Sequence, residues 1–89
     1  NPHEPSRTNI GGSSSGTAAS VAAGICSVGL GTDTMGSLRL PCDASGINGF
    51  KPSLKKWSVN GVVPCILHKD TPGPMGATVS DLCLLDSVV

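Results

Sequence analysis

Two glycine- and serine-rich stretches carry the residues that could do chemistry. The first, GGSSSGTAAS, spans residues 11–20, and the second, GTDTMGSLRLP, spans residues 31–41. A glycine-rich turn that opens a helix exposes backbone N–H groups to an anion. The phosphate-loop pattern, however, needs a lysine at the helix entrance, where this chain has Ser15-Gly16-Thr17. Residues 12–16 also match G-x-S-x-G with Ser14 at the centre. That motif requires a buried strand before it and a histidine base. The preceding SRTNI is a poor strand, and His68 has no context as a base. A third reading takes both loops together. Ser13 and Ser37 are 24 positions apart, separated by one helix and one strand, so the loops can converge at one end of a sheet. A serine in such a turn can act as a nucleophile while neighbouring N–H groups receive the oxyanion. Glycine and serine also dominate ordinary turns, so spacing alone leaves the plain-turn reading open.

The elements that must position these loops follow from local pattern. Residues 1–10 read as coil, interrupted by Pro2 and Pro5. Ala18, Ala19, Ala22 and Ala23 predict a helix that starts at Ser15 or Gly16 and ends at Gly24. Residues 25–33 read as a buried strand in which Gly29 and Gly31 allow close backbone approach. TMGSLRLPC reads as a tight loop entering a short helical turn, and GINGFKPS as a strand ended by Pro52. KWSVNGVVP reads as a further strand region turning at Asn60-Gly61. DTPGPMG reads as a rigid loop in which Asp70 fixes a turn. A last helix, capped by Thr78 with Asp81 three residues on, places Val79, Leu82, Cys83, Leu85 and Val89 on an apolar face. The order helix, strand, loop, strand, strand, helix predicts a mixed α/β fold.

Composition narrows the function classes. The chain has 89 residues, zero net charge, and only Phe50 and Trp57 as aromatics, while glycine and proline number 12 and 7. So thin a core, without an evident staple, favours a piece of a larger domain. Basic residues are dispersed, which argues against nucleic acid as a direct partner, and no apolar run could span a bilayer. Residues 1–10 do not read as a signal peptide, and the expected location is the cytoplasm. Cys26, Cys42, Cys65 and Cys83 contain no C-x-x-C pair, and His3 and His68 stand alone, so no metal site is expected. The thiols are expected to be reduced and mostly buried.

Read together, GGSSSGTAASVAAG, GLGTDTMGSLRLPCDASGINGFKPS and GVVPCILHKDTPGPMGATVSD closely resemble the amidase signature family of serine hydrolases over essentially the whole chain. The resemblance implies part of an α/β/α domain around a twisted mixed sheet, occupying residues 1–89. It also implies hydrolysis of a small-molecule amide through a Ser–Ser–Lys triad, without cofactor or metal. By position, Ser37 matches the nucleophile. Ser13 matches the bridging serine, which the family holds after a cis peptide bond. The backbone N–H groups of Thr34, Met35, Gly36 and Ser37 match the oxyanion hole. Ser14 matches a position that supports the triad through hydrogen bonds, with helix capping as its alternative role. Asp33 and Arg39 match recurrent positions and are expected to support the loop rather than act on substrate.

Three departures accompany the resemblance. Ser15 replaces a more frequent glycine, and Met35 stands where glycine is frequent beside the oxyanion loop. The family's catalytic lysine lies upstream of the first serine loop, and Lys51, Lys55, Lys56 and Lys69 all lie downstream. The 89 residues alone are therefore expected to be inactive. Two alternatives stand beside the hydrolase: a non-catalytic remnant serving as a binding or scaffold module, and the amidase subunit of a tRNA-dependent amidotransferase.

Overall fold

The structure, a computed structural model, describes residues 1–6 and 9–89. The coil expected over residues 1–10 therefore falls partly, at Arg7 and Thr8, outside the described residues. The first helix, α1, covers Ser15–Ala22 and turns Ala18 and Val21 inward. It ends at Ala23, and Gly24 follows in the left-handed region that reverses the chain. Strand β1, Val28–Asp33, begins three residues later than expected, because residues 25–27 lie exposed before the sheet.

Residues 34–38 form the expected tight loop and lead into α2, Arg39–Ser45, which extends the expected short helical turn to about two turns. Pro41 lies within this helix. The proline sits in the first turn, where backbone N–H groups lack intrahelical acceptors in any case, so it costs the helix little. Gly46 closes α2 in a left-handed conformation. Beyond it the expected GINGFKPS strand shrinks to β2, Asn48–Gly49. KWSVNGVVP forms turns rather than a strand. That segment is tied down by side chains instead. Buried Trp57 donates from Nε1 to Asp86 Oδ1 at 3.0 Å, and the Lys56 ammonium pairs with the same carboxylate.

The largest departure is DTPGPMG. In place of a rigid loop, Thr71–Gly76 forms β3, the central strand of an antiparallel three-stranded sheet ordered β1-β3-β2. Two prolines in a central strand would ordinarily break its ladder. Here Phe50 N donates to Pro74 O at 3.0 Å, on the β2 side. Along a strand, alternate residues turn their polar groups to opposite edges. Pro72 and Pro74 therefore both direct their donorless nitrogens towards the short β2 side. Thr71, Gly73 and Met75 remain to pair with Asp33, Gly31 and Gly29 of β1.

The last helix, α3, spans Val79–Val88 and carries the expected capping box. Thr78 N donates to Asp81 Oδ2 at 3.0 Å, and Asp81 N donates to Thr78 Oγ1 at 3.2 Å. Of its expected apolar face only Leu82 is buried, against Gly76, while Val79, Cys83 and Val89 are exposed.

The core joins Ala18 of α1, Leu38 and Cys42 at α2, and Met75 of β3, with Ile47 against them. Cys42 is buried. Cys26, Cys65 and Cys83 are exposed, which corrects the expectation of mostly buried cysteines, and all four are free. Cys42 fits because Gly49 has no side chain where the Cys42 sulfur lies, and burial pushes its thiol up to about 11. Among the described residues, no helix is long and apolar enough to cross a membrane.

Candidate active site

The two serine loops meet. Ser14 N donates to Ser37 O at 3.0 Å, fastening the turn before α1 to the turn before α2. The Ser14 side chain makes a second fastening. Its hydroxyl accepts from Thr32 N at 3.1 Å and lies 3.3 Å from Thr32 O, to which it donates. Ser14 occupies the N-cap position of α1 but makes no side-chain capping bond, so its hydroxyl serves the strand rather than the helix. Thr32 is opposite Pro72, so its polar groups turn to the edge of β1 away from β3, and Ser14 satisfies them there. Gly31 makes room for this arrangement. A Cβ at that position would lie 2.8 Å from Ser14 Oγ and 3.0 Å from Met75 Sδ.

The peptide bond between Gly12 and Ser13 is cis, at the place the family resemblance implies. Ser13 is exposed and Ser37 half-buried. Their hydroxyls are not hydrogen-bonded to each other, so the link between the loops is made by main chain. Ser13 and Ser14 border a shallow depression with Leu30, Thr32, Val62 and Pro72. A second depression is lined by Met35, Gly36, Arg39 and Leu40.

Asp33, at the end of β1, organises the second loop. Its carboxylate is fully buried and collects donors from both directions. Gly36 N reaches Oδ1 at 2.9 Å, while Leu38 N and Arg39 N reach Oδ2 at 3.4 and 3.3 Å. Arg39 adds Nε to Oδ2 at 3.0 Å and Nη2 to Oδ1 at 3.2 Å. Lys51 Nζ donates to Oδ1 at 2.9 Å. Burial by itself would raise the Asp33 carboxyl. The Arg39 guanidinium, the Lys51 ammonium and the backbone donors outweigh it and hold the group well below the usual carboxylate range. Asp33 is thus a fixed anion that folds residues 33–39 around itself.

Thr34 is held from two sides. Its hydroxyl donates to Asp70 Oδ1 at 2.6 Å, and its carbonyl accepts from Lys51 Nζ at 3.2 Å. Asp70 does fix a turn, since Oδ2 accepts from Cys65 N and Ile66 N at 2.6 and 2.9 Å. The Thr34 hydroxyl, followed by those backbone donors, lowers its carboxyl.

Of the four N–H groups expected in an oxyanion hole, the structure commits one elsewhere: Gly36 N–H is directed to Asp33. Among the described residues no acceptor takes the N–H of Thr34, Met35 or Ser37. Sequence reasoning brought forward Ser13, Ser14, Asp33, Arg39 and residues 34–37, and the structure gathers all of them around the Ser14–Ser37 contact. It missed Lys51, treated only as a lysine that fails to match the family's base. It also missed the Thr34–Asp70 bond. Both link residues 17–36 positions apart, and no local pattern signals them.

Known proteins similar to this chain agree with one another. A family model described as Amidase matches residues 1–89. Mandelamide hydrolase of Pseudomonas putida is 44% identical over 79 residues, covering 89% of this chain and 16% of that protein. A glutamyl-tRNA(Gln) amidotransferase subunit of Methanothermobacter thermautotrophicus is 44% identical over 89 residues, covering 100% of this chain and 19% of that protein. A solved structure described as "Crystal structure of amidase" superposes with a TM-score of 0.87 at 43% identity, covering 89% of this chain and 18% of that one. The chain thus spans less than a fifth of the length of these relatives.

Proposed function

This chain belongs to the amidase family, and from that premise we propose that the protein of which it is a part hydrolyses small-molecule amides, with Ser37 as nucleophile and Ser13 as proton bridge. The observation that carries this reading is the 3.0 Å bond from Ser14 N to Ser37 O, which brings the Ser13 loop beside the Ser37 loop. A serine hydroxyl is a weak nucleophile until a base takes its proton. In the proposed reaction the Ser37 proton passes through Ser13 to a lysine supplied outside these 89 residues, and Ser37 Oγ bonds to the amide carbon. The carbonyl oxygen becomes an oxyanion held by the N–H groups of Met35 and Ser37, with Thr34 completing the turn. The C–N bond then breaks, the proton goes to the departing amine, and water releases the acid from the acyl-enzyme. No cofactor enters. Asp33 and Arg39 hold the loop, and Ser14 holds the two loops together.

The same proposal treats residues 1–89 as a partial domain, for which the coverage of the relatives is the support. Free thiols suit the reducing cytoplasm. The mandelamide hydrolase relative makes a small aryl amide the first substrate to try. With such an amide, Ser37→Ala in the intact protein is expected to lower turnover at least about a thousandfold. Full activity in that variant would refute the assignment, and inactivity of the unmodified intact protein would favour the non-catalytic scaffold. A second reading, the amidase subunit of a tRNA-dependent amidotransferase, is favoured by the amidotransferase relative that matches the whole chain. Glutamine-dependent amidation of a misacylated tRNA distinguishes it.

A further inference from the structure

Peptide planes give the loop after β1 a definite set of directions. In a trans peptide the C=O and the following N–H point to opposite sides of the chain. The Thr34 carbonyl points at Lys51 Nζ, 3.2 Å away, so the Met35 N–H points away from Lys51. The next N–H, of Gly36, is consumed by Asp33 Oδ1. The Gly36 carbonyl accepts from Leu40 N at 2.8 Å, which turns the Ser37 N–H away from α2. Met35 and Ser37 thereby present donors on either side of a committed one, and like the Thr34 N–H they have no acceptor among the described residues. The Met35 donor has its direction from the Thr34 carbonyl, and that carbonyl has its charged partner in Lys51.

Lys51 also touches Asp33 Oδ1, the oxygen that receives Gly36 N–H. It therefore grips the loop at two successive residues, while Asp70 holds the Thr34 side chain. The charges matter as much as the geometry. A buried carboxylate beside a developing oxyanion opposes it unless outweighed. Two further charged groups lie beside the Lys51–Asp33 pair, Arg39 on Asp33 and Asp70 near Lys51. The Arg39 side chain is 55% exposed and that of Lys51 23%, so the Lys51 charge is the less screened by water.

We propose that Lys51 is a positioning residue for amide hydrolysis: through the Thr34 carbonyl and the Asp33 carboxylate it aims the Met35 N–H at the oxyanion formed when Ser37 attacks. The inference rests on the assignment of Ser37 as nucleophile. It gives Lys51 no part in proton transfer.

The test uses the intact protein with an aryl amide, measuring kcat, KM and inhibition by the trifluoromethyl ketone of the same acyl group, which forms a tetrahedral adduct on the nucleophile. Lys51→Met is expected to lower kcat about a hundredfold, as loss of one oxyanion donor does. KM should change less than about threefold, because ground-state binding does not use that donor. Inhibition by the ketone should weaken by a factor close to the loss in kcat/KM, and binding of the acid product should stay constant. Lys51→Arg, whose guanidinium can reach both oxygens, should recover part of the rate. Lys51→Gln provides a milder second variant that can still donate to Thr34 O. A folded Lys51→Met protein with wild-type kcat, or with a loss confined to KM, overturns the proposal, as does a folded Lys51→Gln protein that loses more kcat than Lys51→Met. So does failure of both to fold, which would assign Lys51 to the fold alone. Ser37→Ala run in parallel separates the two levels. Activity in Ser37→Ala defeats the hydrolase assignment, whereas an inactive Ser37→Ala beside a fully active Lys51→Met defeats only the role of Lys51.

Discussion

Ser14 shows how much one side chain can decide about the site without touching substrate. Between glycines, three serines look interchangeable, yet each has a different environment. Ser13 is exposed after a cis peptide, Ser15 begins α1, and Ser14 has its hydroxyl on Thr32 and its N–H on Ser37. The G-x-S-x-G pattern centres on Ser14, but its hydroxyl is already engaged with backbone. Ser14→Ala removes the side-chain bonds and leaves the N–H bond to Ser37 intact. It also leaves the polar groups of Thr32 without a protein partner. The intact protein is therefore expected to lose about 1–2 kcal/mol, read as a lower urea midpoint at unchanged slope. An unchanged midpoint would mean that the Thr32 contact contributes nothing to holding the loops.

What the sequence disclosed about the elements followed from local chemistry, and what it hid depended on partners distant in the chain. The capping box of Thr78 and Asp81 was readable because both halves lie within four residues, and α1 because alanine favours helix wherever it sits. β3 was not readable. Its prolines announce a loop, and only the register with β1 and the brevity of β2 make their missing donors harmless. KWSVNGVVP misled in the other direction. Its β-branched residues suit a strand, but Trp57 is drawn to Asp86 on α3 and the chain turns instead. The chemistry-bearing loops were identified through the family resemblance, whereas Lys51 emerged only from tertiary contact. β3 offers its own test at Gly73, where a Cβ would meet the Phe50 carbonyl and come within 2.9 Å of Pro52 Cδ. Gly73→Ala is expected to destabilise the intact protein by about 1–3 kcal/mol, because backbone cannot yield as a side-chain tip can. Gly16→Ala, on open surface in α1, should be neutral or gain up to about 1 kcal/mol. Equal urea midpoints for the two variants would contradict the close approach of β3 to residues 50–52.

Taken whole, the chain presents a small core and a great deal of uncovered apolar surface. Ile25, Val63, Leu67, Leu84 and Val88 are each about two-thirds exposed or more, and they fall on three separate segments of the chain. A groove of about 400 Å³ between β2 and α3 is lined by Phe50, Val79, Leu82 and Cys83. Single exposed hydrophobic residues are ordinary, but so many beside so few buried ones fit a span that packs against more protein. That matches its extent, less than a fifth of its relatives' length. Within that span the structure folds the Ser37 loop around Asp33, ties it to the Ser13–Ser14 loop, and leaves the N–H groups of Thr34, Met35 and Ser37 without an acceptor among the described residues. In the proposed reaction the proton acceptor lies outside these 89 residues, so the assignment is tested on the intact protein. Incubating that protein with a fluorophosphonate and mapping the adduct by mass spectrometry addresses the assignment at its centre. The modification is expected on the Oγ of Ser37, to be absent from Ser37→Ala, and to form much more slowly in Ser13→Ala. An adduct on Ser14, or one that persists in Ser37→Ala, would contradict it.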